Sequence, residues 1–217
     1  MFELRNVTKS FLTPRGRRYI FQNLNLVLPA GKNIGLIGRN GAGKTTLMRL
    51  LGGADTPDSG RIITDKNISW PVGLGGGFQG SLTGRENVKF VCRVQGATGA
   101  QMRAKVQYVE AFAEIGKWFD EPVKSYSSGM RSRLAFGLSM AFDFDYYLID
   151  EVLSVGDHHI REKSTRVFRE KMQKSNIILV THSMGQIAKL CDVVVLLKEG
   201  RATLYNDVQE GIKAYQQ

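Results

Sequence analysis

The sequence predicts an α/β protein whose mostly parallel sheet is interrupted by a separate helical segment. Short apolar strands alternate with helices before residue 70 and again after residue 143, a pattern typical of a sheet buried on both faces. Between residues 71 and 142 the apolar spacing becomes helical instead. We therefore expect one domain, with a strand core formed by 1–70 and 143–217 and a helical subdomain formed by 71–142.

The individual elements follow from local apolar patterns. A helix is predicted at 44–51 and a second, charged one at about 158–174. Within the helical segment five apolar residues fall on one helical face, namely Met102, Val106, Val109, Phe112 and Ala113. The predicted strands are 2–7, 19–28, 33–37, 61–64, 68–70, 146–149, 176–180 and 193–197.

Composition excludes several classes of protein. Hydrophobic residues make up 42% and charged residues 23% of the chain, as in folded globular proteins. No apolar run approaches the roughly 20 residues of a membrane-spanning helix, and the first residues lack the apolar stretch of a secretion signal. Cys92 and Cys191 have no metal-binding spacing, so we expect reduced thiols. A net charge of +10 favours anionic partners without choosing among nucleotide, nucleic acid, acidic polymer and membrane.

A glycine-rich segment with the pattern GxxxxGK[ST] follows an apolar strand and opens the helix at 44–51. It reads Gly38-Arg39-Asn40-Gly41-Ala42-Gly43-Lys44-Thr45. Its glycines let backbone N–H groups and a helix N-terminus surround phosphate oxygens. We expect Lys44 to contact β- and γ-phosphates, Thr45 to bind Mg²⁺ and Thr46 to donate to an α-phosphate oxygen.

Three further polar residues follow two of the predicted strands. Asp150 and Glu151 come directly after the strand at 146–149, and His182 comes shortly after the strand at 176–180. The carboxyl ends of parallel strands meet at one edge of a sheet, beside the phosphate loop. We therefore predict that Asp150 holds Mg²⁺ and that Glu151 aligns an attacking water. His182 is either a third catalytic residue or a local hydrogen-bonding group.

A fourth motif, Tyr126-Ser127-Ser128-Gly129-Met130, stands before a predicted helix. In their order along the chain, these motifs resemble those of ATP-binding-cassette ATPases, and the resemblance covers essentially the whole chain. It implies a P-loop NTPase fold: a RecA-like mixed-sheet core, an inserted helical subdomain and an N-terminal antiparallel β element. It also implies that ATP and Mg²⁺ are bound.

The resemblance implies a head-to-tail dimer of this subunit. Each ATP then lies between the phosphate loop of one copy and the signature motif of the other. Ser127 and Gly129 are implied as contacts to the γ-phosphate of that ATP. Ser128 and Met130 depart from the usual LSGGQ signature, which affects the contact details.

Other family motifs map onto single residues or short segments. Gln79 corresponds to the Q-loop glutamine, implied to bind nucleotide and Mg²⁺, and 154–157 to the D-loop. His182 corresponds to the switch histidine. The family stacks adenine on an aromatic residue after the first strand, for which Phe11 is our choice and Tyr19 the alternative.

The segment 69–87 looks very like the ATPase subunit of bacterial capsular-polysaccharide exporters. Such a subunit would work with two copies of a transmembrane permease, peripherally on the cytoplasmic face of the inner membrane, on a lipid-linked acidic polysaccharide. Exporters of O-antigen or teichoic acid are the alternative. A soluble cassette acting on nucleic acid or ribosomes is a further alternative, but no coiled-coil insertion or second cassette supports it. A binding module without turnover is disfavoured because both acids and His182 are present.

Two charged segments have no role in these motifs. Arg15-Gly16-Arg17-Arg18 lies in a predicted loop and is either solvated surface or a contact for lipid phosphates or an acidic export substrate. His158 and His159 lie on a charged helix without nearby metal ligands, and we expect them at the surface.

Overall fold

The computed structural model describes residues 2–72, 77–150 and 158–217, apart from the side chain of His158. Contacts divide these residues into two compact units. Unit 1 comprises 2–71, 144–150 and 175–217 and contains the sheets, whereas unit 2 comprises 72, 77–143 and 158–174 and is helical. The predicted fold class is confirmed: an α/β fold with a mixed sheet, an antiparallel β element and a helical insertion.

The elements of the described residues are numbered in chain order. The strands are β1 (Phe2–Thr13), β2 (Gly16–Leu28), β3 (Ile34–Gly38), β4 (Ser59–Thr64), β5 (Ile68–Val72), β6 (Tyr146–Asp150), β7 (Asn176–Val180), β8 (Val193–Lys198) and β9 (Arg201–Tyr205). The helices are α1 (Lys44–Leu51), α2 (Gly84–Val94), α3 (Gly99–Ala113), α4 (Ser128–Met140), α5 (His158–Met172), α6 (Met184–Leu190) and α7 (Val208–Gln216). Short 3₁₀ segments connecting α3 to α4 are Gly116–Asp120 and Val123–Ser125.

A long hairpin forms most of the antiparallel β element. Strand β1 pairs with β2 on one side and with β4 on the other. Its first half buries Phe2, Leu4 and Val7, whereas its outer end from residue 11 onward is exposed. The sequence predicted only 2–7 and 19–28 because the outer arms carry no apolar alternation, although their backbones pair. Register shifts between residues 4 and 10 then determine which outer side chains share a face.

The core of unit 1 is a six-stranded sheet with the order β5-β6-β7-β3-β8-β9. Strands β6, β7, β3 and β8 run parallel, and every residue of β3 is buried, as expected for a strand covered on both faces. Strand β9 turns back antiparallel to β8. It was not predicted, because none of its residues is buried and no apolar run marks it.

Unit 2 is built on the packing of α3 against α4. The predicted apolar face of α3 is buried at Val106, Val109, Phe112 and Ala113. Gly137 of α4 lies so close to Phe112 that a Cβ there would meet Phe112 Cδ1 at 2.8 Å. The glycine therefore permits the close approach of the two helices.

Helix α5 differs from the sequence-based division, which assigned 143–217 to the strand core. Its contacts group it with unit 2. The ammonium group of Lys163 donates hydrogen bonds to the carbonyl oxygens of Ala111 and Phe112 and to the carboxylate of Glu114. That ammonium group lowers the pKa of Glu114. The charged composition of α5 concealed these long-range contacts, because periodicity reports only which residues share a face.

Ser69 of β5 is fully buried, and its Oγ accepts a hydrogen bond from the N–H of Leu148 in β6 at 2.9 Å. Alanine would leave that N–H without this acceptor, so Ser69→Ala should lower the free energy of unfolding by about 1–3 kcal/mol. Ser59→Ala, at an exposed position of β4, is the control and should stay within about 0.5 kcal/mol of the parent chain. Urea unfolding measures both, and equal stability of the two variants would contradict the role given to Ser69.

Candidate nucleotide site

The loop between β3 and α1 forms an open cradle of backbone N–H groups. Gly41 and Gly43 have φ angles of 82° and 101°, a left-handed conformation that L side chains rarely adopt. A Cβ on Gly43 would lie 2.7 Å from both Ile20 Cγ2 and Phe21 Cζ, so only glycine fits there. Gly43 is the N-cap of α1 and supplies no side-chain cap, which leaves the first helical N–H groups available to an anion.

Lys44 extends back over this loop. Its Nζ donates hydrogen bonds to the carbonyl oxygens of Gly38 and Arg39 at 2.7 and 3.2 Å. Half-buried beside the first turn of α1, the ammonium group adds a full positive charge to the partial charge of the helix N-terminus. The loop thus combines a point charge with directed N–H donors, which suits phosphate.

A cavity of about 450 Å³ in unit 1 opens above the cradle. Two cationic side chains, Arg18 and Lys44, face one carboxylate, Asp150, among its lining residues. A site with this balance favours a polyphosphate and still offers a carboxylate to a cation. Its lining residues are Arg18, Ile20, Asn40, Gly41, Gly43, Lys44, Thr45, Thr46, Asp150, Val180 and His182.

Strand register brings distant parts of the chain to this cavity. Val180 of β7 is the register partner of both Asp150 in β6 and Leu36 in β3, so the three strands end side by side. The turn after β7 carries His182, which is exposed. Thr181 Oγ1 shapes this turn by donating to the side chain of Gln186 and accepting from the N–H of Ser183, at 3.1 Å each. The edge predicted from the sequence therefore holds Asp150, His182 and the phosphate loop.

The two candidate adenine platforms lie on the hairpin and do not line the cavity. Phe11 and Tyr19 are 42% and 47% exposed. Phe11 is the register partner of Arg18, and its ring lies 5.2 Å from Lys9 Nζ, within cation–π range. The Lys9 ammonium group also pairs with Asp55 and lowers the pKa of that carboxyl group. The choice between Phe11 and Tyr19 stays a prediction.

The remaining predicted contacts lie in unit 2. The backbone of Gln79 is fixed by Asn87, whose Oδ1 accepts from the Gln79 N–H at 2.8 Å and whose Nδ2 donates to the Gln79 carbonyl at 3.1 Å. Ser127 is the N-cap of α4, and its Oγ accepts from the N–H of Met130 at 3.2 Å. A Cβ on Gly129 would meet only Ser127 Oγ, at 4.0 Å. The start of α4 is therefore open to a ligand.

Several expectations fall elsewhere. Glu151, the D-loop segment 154–157 and the glycines within 73–76 lie outside the described residues. His159 is exposed and lies 3.4 Å from a carboxylate oxygen of Glu114.

The sequence analysis did not predict Arg18, Ile20 and Val180 as cavity residues. Arg18 belongs to the charge run that was assigned to surface, lipid or acidic substrate, and the strand predicted at 19–28 began one residue too late to include it.

Magnesium fits the donor set of the cavity. A threonine hydroxyl at Thr45 and a carboxylate at Asp150 are hard oxygen ligands, which Mg²⁺ prefers together with phosphate oxygens. Within 2–72, 77–150 and 158–217, no group of three or more His, Cys, Asp or Glu residues forms a protein-only metal site.

Cys92 and Cys191 are buried, and burial raises the pKa of the Cys191 thiol to about 12. None of the helices in these ranges is long and apolar enough to cross a membrane.

Fold and cavity together define a class of protein: a nucleotide-binding α/β ATPase whose phosphate loop lies at the carboxyl edge of a parallel sheet. A family model described as ABC transporter matches residues 21–154. The chain belongs to the ABC transporter family and is an ATPase of that family, as its motifs indicated.

Two relatives match nearly the whole chain. The polysialic acid transport ATP-binding protein KpsT of Escherichia coli is 57% identical over 99% of this chain and 98% of its own length. The capsule polysaccharide export ATP-binding protein CtrD of Neisseria meningitidis serogroup B is 41% identical over 99% of this chain and 98% of its own.

A solved structure supports the fold. It is a dimeric post-hydrolysis state of the ATP-binding cassette MJ0796 bound to ADP and Pi, with a TM-score of 0.71. It covers 94% of this chain and 98% of the other at 22% identity. At that level of identity the likeness shows the fold alone.

Gly43→Ala tests the cradle. Because a Cβ there meets Ile20 and Phe21 at 2.7 Å, the loop must shift, and we expect ATP binding to weaken by at least about tenfold. Gly53→Ala is the matched control: its φ of 66° carries a similar backbone strain of about 1 kcal/mol, but nothing lies within 4 Å of its Cβ. Titration calorimetry with ATP compares the two, and equal affinities would show that the close fit at Gly43 does not shape the site.

Proposed function

We propose that this chain is the ATP-binding and ATP-hydrolysing subunit of a transporter that exports capsular polysaccharide across a bacterial inner membrane. The observation that carries the proposal is the cavity, which joins Lys44, Thr45, Asp150 and His182 at the phosphate loop. The identities of 57% and 41% to two capsule-type export subunits, over almost the full length of each, support the choice of cargo.

Nucleotide binding uses the groups of the cradle. Loop N–H groups and Lys44 bind the β- and γ-phosphates, and the hydroxyl of Thr46 donates to an α-phosphate oxygen. Thr45 and Asp150 would hold Mg²⁺, directly or through water. The bound metal would supply positive charge that stabilises the phosphoryl group during its transfer.

Hydrolysis needs an aligned water more than covalent help, because phosphoryl transfer proceeds through a loose transition state. Glu151, which follows Asp150 at the carboxyl end of β6, orients that water and polarises it. His182, on the turn after β7, lines the cavity and donates to the γ-phosphate. The two groups therefore act on the attacking and transferred atoms respectively.

Force is generated by a homodimer that clamps two nucleotides. Ser127 and Gly129 at the start of α4 contact the γ-phosphate bound by the opposite copy. ATP binding closes the dimer, closure moves two copies of a transmembrane permease, and hydrolysis releases them. The chain is peripheral, on the cytoplasmic face of the membrane. A lipid-linked acidic polysaccharide passes through the permease, so its sugar specificity resides there.

Lys44→Ala tests the function in cells that lack the native gene. Loss of the ammonium group should weaken ATP binding and thereby abolish export. Polysaccharide should then accumulate inside the cell and the capsule should be lost, as shown by fractionation and surface staining. Lys32→Ala, an exposed lysine outside the cavity, is the control and should restore export as the parent chain does. Normal surface polysaccharide with Lys44→Ala alone would refute the proposal. An unchanged surface in the deleted strain, with defects in DNA or translation, would favour the soluble alternative.

Glu151→Gln separates binding from hydrolysis. The amide keeps the size of the side chain but cannot polarise water, so we expect ATP to bind and turnover to fall by at least about 100-fold. The ATP-bound dimer should then accumulate, as measured by size-exclusion chromatography with ATP and Mg²⁺. Glu121→Gln, an exposed residue of unit 2, should leave turnover and dimer content unchanged. Unaltered turnover of Glu151→Gln would show that another residue aligns the water.

A further inference from the structure

Arg18 lies at the phosphate loop, although nothing in the motif pattern assigns it there. Its side chain lines the cavity, and its Nη2 lies 3.8 Å from the position that a Cβ on Gly41 would occupy. We propose that Arg18 is a nucleotide-binding residue whose guanidinium group contacts the phosphate chain of the bound nucleoside triphosphate. This inference rests on the proposed function, because it requires that the loop binds nucleotide.

The register of the hairpin aims Arg18 at the loop. Arg18 and Ile20 lie two residues apart on β2, on either side of Tyr19 and next to the register shift between Lys9 and Ser10. Ile20 approaches the loop at Gly43 and Arg18 approaches it at Gly41, so this part of β2 meets the phosphate loop at two points. The approach of Arg18 to the loop is therefore fixed by the position of β2, and not only by the reach of a long side chain.

Arg17 provides the contrast. It lies on the opposite face of β2, where it is the register partner of Leu12. Hydrogen bonds from Ser10 lower the pKa of the Asp58 carboxyl group, and the charge of Arg17 adds to this effect. It does not line the cavity. Two adjacent exposed arginines of one hairpin therefore face different surroundings, and the structure offers a matched pair for a test.

Charge balance points to an anionic ligand for Arg18. Two other arginines of the described residues pair with carboxylates, Arg5 with Glu3 and Arg85 with Glu110 and Asp120. In the same described residues, Arg18 forms no ion pair. An exposed guanidinium group without an acidic partner, beside a loop of phosphate-binding N–H groups, is available to phosphate oxygens, which its planar donors fit well.

The location also separates phosphate from base recognition. Gly41 lies within the run of loop N–H groups that surround phosphate, and Arg18 reaches that part of the loop. The candidate base-stacking residues, Phe11 and Tyr19, lie on the hairpin outside the cavity lining. Arg18 should therefore strengthen binding of any nucleoside triphosphate by a similar factor, whatever its base.

The test compares dissociation constants for ATP and GTP in the purified full chain. Because Arg18 would form a charge-assisted hydrogen bond at an exposed site, we expect Arg18→Gln to weaken the binding of both nucleotides by about tenfold. Arg18→Lys keeps the charge but loses the planar group of donors, so its affinities should lie between those of the parent chain and those of Arg18→Gln. Arg17→Gln is the matched control and should stay within about twofold of the parent chain. Raising the salt concentration should weaken ATP binding more steeply in the parent chain than in Arg18→Gln, because one fewer cation contacts phosphate in the variant.

The other possible results contradict either the role of Arg18 or the proposed function. If the parent chain binds ATP and Lys44→Ala does not, yet Arg18→Gln binds as the parent chain does, the nucleotide site stands and the role of Arg18 is overturned. A loss for ATP without a similar loss for GTP would also overturn it, since Arg18 would then act through the base platform. If the parent chain binds no nucleotide, the proposed function itself fails. Thermal unfolding of each variant without nucleotide excludes a folding defect, and Arg18→Lys retains the test if Arg18→Gln unfolds.

Discussion

Phosphate binding in this chain depends on bare backbone at the start of a helix. Gly41 and Gly43 turn the chain from β3 into α1 with left-handed angles, and no side chain covers the first N–H groups of α1. Those groups have no partner within the helix, so an anion satisfies donors that would otherwise face water. Two apolar neighbours hold the turn in place, because Ile20 and Phe21 pack where a side chain on Gly43 would lie.

The parallel sheet supplies the other half of the chemistry by its order alone. Residues 150 and 182 belong to different strand ends, but β6, β7 and β3 are adjacent and terminate together. A carboxylate, an imidazole and a phosphate cradle therefore meet at one edge of the sheet, although they come from segments that are far apart in the sequence. Unit 2 carries a second helix start, at α4, and in the proposed head-to-tail dimer this start would contact a nucleotide bound by the other copy.

The sequence predicted correctly those elements that depend only on neighbouring residues. The bounds of α1 and β7 agree with the apolar pattern, and the loop at 38–45 was recognisable because its residues are contiguous. The sequence did not predict Arg18 as a cavity residue, because its position depends on the bulges near Lys9 and on cross-strand pairing. Neither feature produces a periodic pattern in the sequence. Likewise β9 is held by its pairing to β8 and not by buried apolar side chains. Helix α5 contacts unit 2 through hydrogen bonds of Lys163 to residues about 50 positions away in the sequence, which a local pattern does not reveal.

The hydroxyl group of Ser127 can serve two partners at once. It caps α4 by accepting from Met130, and a hydroxyl that accepts still has its own proton to donate. A carboxylate cap could not do the same, since it carries no proton and would repel a phosphate. A small neutral cap thus stabilises the helix and can still donate a hydrogen bond, which suits the contact proposed between Ser127 and the phosphate of a nucleotide bound by the other copy.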